Sequence, residues 1–65
     1  MNHYLFFTNS PKLLIHEGDF VSDQKALDQG GLLFGLKEQA ADYVAVHNTD
    51  TGLAWEVSVD GVSQL

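Results

Sequence analysis

The stretch that decides the fold is "DYVAVHNTDTGLAWEVSVDGVSQL", residues 42–65. Pairing Val46 with Trp55 across a four-residue loop, Thr49 to Gly52, sets Val44 against Val57 and leaves Asp42 near Val59. Val44, Val46, Trp55, Val57 and Val59 then share one face, with Tyr43, Ala45, His47, Ala54, Glu56 and Ser58 on the other. A slip of one residue would exchange the two faces, so this separation of apolar from mostly polar groups specifies the register. Asp60-Gly61 reads as a two-residue type I′ turn, after which Val62 to Leu65 returns as a short last strand. The segment is an antiparallel meander.

At the tip of that hairpin stands Asp50-Thr51-Gly52, the tripeptide of aspartic protease active sites. The alternation on either side explains it more simply. A tight turn wants a local acceptor such as Asp and a residue tolerant of positive φ such as Gly. Aspartic protease chemistry also needs two carboxylates sharing one proton, which a single copy supplies only in a symmetric dimer. The reading is a turn.

Toward the N-terminus, "HYLFFT" (residues 3–8) reads as a strand with Tyr4 and Phe6 on one face and Leu5 and Phe7 on the other. Apolar groups on both faces point to a strand covered on both sides or lying at a subunit contact. "NSPK" is a turn, and "KLLIHE" (residues 12–17) is the hairpin partner. In "GDFVSDQKALDQGG", Ser22 is a helix N-cap, Asp23 complements the positive helix end, and Gly30 closes the helix as C′. Val21 is placed to staple onto Ala26. "GLLFGLKEQAAD" carries both helical and strand spacing; the helix formers Lys37 to Ala41 favour a second helical segment from Leu32 to Ala41. The expectation is one α+β domain over residues 1–65: an N-terminal β-hairpin, one or two short helices and a C-terminal antiparallel meander, with the helices on one face of the sheet.

Sixty-five residues form a small core, of the kind usually reinforced by disulfides, a metal or a partner subunit. There is no Cys, which excludes disulfides, thiolate catalysis and Cys-based zinc sites. Nine acids against three bases give a net charge of −6, and every base is Lys. Without Arg, the usual bidentate clamp for phosphate is missing, so direct binding to nucleic acid or an anionic membrane is not expected. "MNHYLFF" lacks the basic start and long apolar run of a signal peptide, and no window approaches the roughly 18 apolar residues of a membrane span. The expected compartment is the cytoplasm.

No catalytic set and no cofactor site emerges from the residues. His3, His16 and His47 lack the spacing of a zinc site, although a His-dependent metal or small-molecule binder is a reading to keep in view. Gly30, Gly31 and Gly35 form no phosphate cradle, and no serine has a base beside it. What remains is the acidic run Glu17, Asp19, Asp23 and Asp28. One reading is a solvated face that keeps a small protein soluble. The sharper reading is a partner-binding surface that imitates a phosphate backbone and competes with nucleic acid for a basic protein groove, with Tyr4 or Phe20 as an exposed aromatic anchor. Glu38 and Asp42 would extend it. In size, acidity and α+β layout the chain resembles the small inhibitor proteins that bacteriophages encode, anti-CRISPR proteins among them; the likeness rests on these gross properties and on no motif. The expected function is therefore a non-enzymatic protein-binding module with a basic, nucleic-acid-binding protein as partner. A structural homodimer formed through the faces carrying Leu5 and Phe7 is the alternative.

Overall fold

The computed structural model describes residues 1–8, 12–37 and 42–65. In chain order the elements are β1 (Asn2–Thr8), β2 (Leu14–Phe20), α1 (Asp23–Lys37), β3 (Val44–Asn48), β4 (Ala54–Ser58) and β5 (Gly61–Gln64). The strands form one antiparallel sheet in the order β2-β1-β3-β4-β5, so β1 lies between its hairpin partner β2 and the meander. The α+β layout expected from the sequence is the observed one.

The C-terminal register is as the alternation demands: Val44 pairs with Val57 and Val46 with Trp55. The Asn48 amide donates to the Leu53 carbonyl at 2.8 Å, enclosing the four-residue loop Thr49–Gly52, and Gly52 takes the positive φ of 80° that the turn requires. The next turn differs by one residue. Ser58 pairs with Gly61, so the loop is Val59-Asp60, neither of which has positive φ, while Gly61 sits at φ 107°. A type I′ turn over Asp60-Gly61 would need positive φ at both residues, and the non-glycine Asp60 resists that conformation. Placing the glycine one position later relieves it. Val59 therefore leaves the core face on which alternation had put it and is 83% exposed.

The N-terminal hairpin is closed by the Thr8 amide donating to the Leu13 carbonyl at 2.9 Å. The turn assigned to Asn9, Ser10 and Pro11 lies outside the described residues. β2 begins later than expected and runs on through Gly18, Asp19 and Phe20. Its register against β1 shifts between Phe6 and Phe7, where Phe6 faces His16 but Phe7 faces Leu14. The extra residue, Ile15, packs against the core.

α1 is a single helix of 15 residues. Ser22 caps it as expected: its Oγ accepts from the Lys25 amide at 3.2 Å, the N3 donor of the first turn. Val21 is 69% exposed and does not staple onto buried Ala26. Gly30 does not end the helix, which passes through Gly30 and Gly31 to Lys37; the extension expected over Glu38 to Ala41 lies outside the described residues. Gly30 instead faces the sheet. A Cβ there would stand 2.8 Å from Val46 Cγ2 and 3.3 Å from Val57 Cγ2, so its hydrogen lets helix and sheet approach. Ala26, Leu27, Leu33 and Phe34 complete the stripe at helical spacing that meets Tyr4, Phe6, Val44, Val46, Trp55 and Val57. The helix covers one face of the sheet, chiefly over β3 and β4. The face carrying Leu5, Phe7, Ala45 and His47 has no described element on it.

Candidate functional site

β1 runs antiparallel to both neighbours, so the start of β1, the end of β2, the start of α1 and the β3–β4 loop meet at one end of the molecule. This brings carboxylates from distant parts of the chain together. His3 Nδ1 lies 2.7 Å from Asp19 Oδ1, and His3 Nε2 lies 3.2 Å from Glu17 Oε2. A third carboxylate, Asp50, accepts from the His3 backbone amide at 2.8 Å. The side chains of His3, Glu17 and Asp19 are all well exposed. An imidazole that donates from both nitrogens is protonated. The bonds that His3 donates to Asp19 and then to Glu17 accordingly hold its pKa above the ordinary value.

Beneath this pole lies a second, drier cluster. The Tyr4 hydroxyl donates to Asp23 Oδ1 at 2.5 Å, and Asn48 Nδ2 donates to the same oxygen at 3.0 Å. Asn48 Oδ1 accepts from the Asp50 and Thr51 amides at 2.9 and 3.1 Å, so one buried side chain ties the helix start to the hairpin loop. Burial, reinforced by Asp23, pushes the Tyr4 pKa up to about 12. This phenol keeps its proton at neutral pH and is a donor, not a nucleophile. Among the described residues, every buried side-chain nitrogen and oxygen has a hydrogen-bond partner. The arrangement is a satisfied structural network.

The structure therefore divides the five residues singled out in the sequence. Glu17 and Asp19 stand together on the exposed face of β2. Asp23 turns inward and is held by Tyr4 and Asn48, because a carboxylate at a helix start is the natural acceptor for two donors rising from the sheet. Asp28 lies further along the helix, exposed, accepting from Gln24 Nε2 at 2.9 Å. Phe20 is not a free anchor: its ring packs edge-on against Tyr4 and Phe6, with both centroid separations 5.7 Å. Tyr4 is wholly buried. Asp50 was assigned only a turn role by sequence, yet it joins the pole; the antiparallel placement of β1 beside β3 brings it there. Glu38 lies outside the described residues, and Asp42 belongs to the opposite end of the sheet.

The three histidines do not converge. His16 faces Phe6, and its ring lies 5.3 Å from the Phe6 ring. His47 lies against Phe7 on the uncovered face, its pKa lowered by burial and then by Lys12. Among the described residues no group of three or more His, Asp or Glu is placed to hold a metal. Beside His47, at the end opposite the pole, an open depression of about 240 Å³ is lined by Phe7, Lys12, Tyr43, Ala45 and Leu65. No described helix is long and apolar enough to cross a membrane. Comparison with protein-family models, with curated proteins and with solved structures gives no match.

Proposed function

We propose that this protein is a non-enzymatic binding module that presents its acidic pole to a basic surface on another protein. The observation that carries the reading is the convergence of Glu17, Asp19 and Asp50 around His3, on elements held rigid by the Tyr4–Asp23–Asn48 network. Glu17 and Asp19 alternate on one strand face, about 6.6 Å apart by strand rise, a regular spacing set by the backbone. Pre-set charge of this kind steers encounter and lowers the ordering cost of binding. With a chain charge of −6 and no Arg, the complementary partner is cationic. A groove that ordinarily holds nucleic acid has that character, which makes competition with nucleic acid the proposed mode of action.

The test is capture of a basic nucleic-acid-binding protein, followed by competition and salt titration. The expected result is displacement of this chain by duplex DNA and progressive loss of binding as salt rises. Binding indifferent to both salt and DNA would reject the reading.

A further inference from the structure

We propose that the uncovered face of the sheet is a self-association surface, on which a second copy of this chain packs with strands antiparallel about a two-fold axis, Lys12 of each copy lying over Glu17 of the other. This inference shares Glu17 with the acidic pole but does not rest on the binding proposed there.

The first support is the composition of the face. Leu5, Phe7, Ala45 and Ala54 share its middle with His47 and Glu56, and Leu14 and Leu65, 50% and 64% exposed, border it. Sheets pack face to face at about 10 Å with strands nearly aligned, and a surface of this kind suits such stacking. A small core of this size also gains most from added burial.

The second support is the placement of charge. Lys12 extends over this face, its Nζ 5.2 Å from the centre of the Phe7 ring. Glu17 stands opposite Leu5 in the register, two residues along β1 from Phe7. Phe6, Val46 and Trp55 mark the row between these two levels. A two-fold axis crossing the strands at that row exchanges the levels, so Lys12 meets Glu17 twice. The same operation sets Phe7 against Leu5 and Glu56 against Ala54, leaving no two acids opposed. An axis parallel to the strands would instead lay Glu17 over β5, which contains no cation.

The third support is area. Five strands about 4.8 Å apart and four to seven residues long, at about 3.3 Å each, give a face of roughly 24 by 13–23 Å. Two such faces bury an area near the lower limit of specific interfaces, which sets the expectation of a reversible, concentration-dependent dimer. The chosen axis places the acidic poles at opposite ends of that dimer, with Glu17 of each engaged by Lys12 of the other copy.

The experiment is sedimentation velocity from about 5 to 500 µM at low salt, a range that spans weak to moderate association. Wild type is expected to pass from monomer to dimer. Lys12→Glu and Glu17→Lys, each of which places like charges opposite one another, should each weaken the dimer by tenfold or more, and the double variant should restore it. Circular dichroism and melting of each variant confirm that the fold is kept. A wild type that stays monomeric throughout overturns the proposal. So does a dimer indifferent to both single variants, or one in which Lys12→Glu is rescued by Glu56→Lys and not by Glu17→Lys.

Discussion

Replacing Gly30 by Ala should destabilise the protein, although the same change raises helix propensity. In an exposed helix interior, Gly to Ala gains about 1 kcal/mol. At Gly30 the new methyl would meet Val46 Cγ2 at 2.8 Å and Val57 Cγ2 at 3.3 Å. Favourable carbon contacts lie at about 3.5–4.0 Å, so the helix must retreat by most of an ångström or both valines must leave their preferred rotamers. Overpacking of this kind costs about 1–3 kcal/mol, and two buried β-branched neighbours place Gly30 at the upper end. The net expectation is a loss of about 1–2 kcal/mol, or a fall in Tm of roughly 5–15 °C for a domain this small. Gly31 is the internal control: a Cβ there meets nothing within 4 Å, so Gly31→Ala should gain about 0.5–1 kcal/mol. Thermal and urea unfolding followed by circular dichroism measure both. Combining Gly30→Ala with Val46→Ala should cost less than the sum of the two single changes, because the second removes the obstruction to the first. If Gly30→Ala raises Tm as Gly31→Ala does, the close approach of helix and sheet is wrong.

Three further outcomes are expected. Ser22→Ala removes the acceptor for the Lys25 amide and should cost about 1 kcal/mol in urea unfolding. His3 has a raised pKa in the folded state, so its contribution is fully present below the unfolded value of 6.5 and is lost as pH rises through the folded value. Wild type minus His3→Gln stability should therefore decline from mildly acidic toward alkaline pH; a flat difference would mean that the bonds to Asp19 and Glu17 do not form in solution. Tyr4, pushed up to about 12, keeps its proton when folded while the unfolded phenol ionises near 10. Stability should fall as pH rises between about 10 and 12, and Tyr4→Phe should remove that part of the dependence.

The two ends of the chain differed in how openly they declared their structure. Residues 44–57 were legible because strict alternation and one turn signal act together, and only one register satisfies both. Ser22 was legible because a cap is a local interaction. Gly30 misled because a helix-terminating glycine and a glycine of close packing are identical letters, and the choice depends on how near β3 and β4 come. Asp60-Gly61 gave the position of the last turn to within one residue, since a glycine serves either a type I′ turn or the residue after a type I turn. The acidic run was visible as composition, but its division among the pole, the buried network and the helix face depended on tertiary contacts. Asp23 had to satisfy Tyr4 and Asn48, and Asp50 entered the pole through a strand pairing that no local pattern revealed.

These placements alter what the acidic residues are asked to do. Glu17 and Asp19 present charge, Asp23 secures the scaffold beneath them, and Phe20 packs against the core. A partner would read the pole by the position of its charges as well as by their number. The most direct measurement is therefore binding of a cationic, nucleic-acid-binding partner to two variants of equal net charge: Glu17→Lys with Asp19→Lys at the pole, and Asp28→Lys with Asp60→Lys away from it. The account expects the pole variant to lose binding by tenfold or more while the control stays within a few-fold of wild type. Equal losses in both variants would reduce the interaction to net charge alone and contradict the central claim.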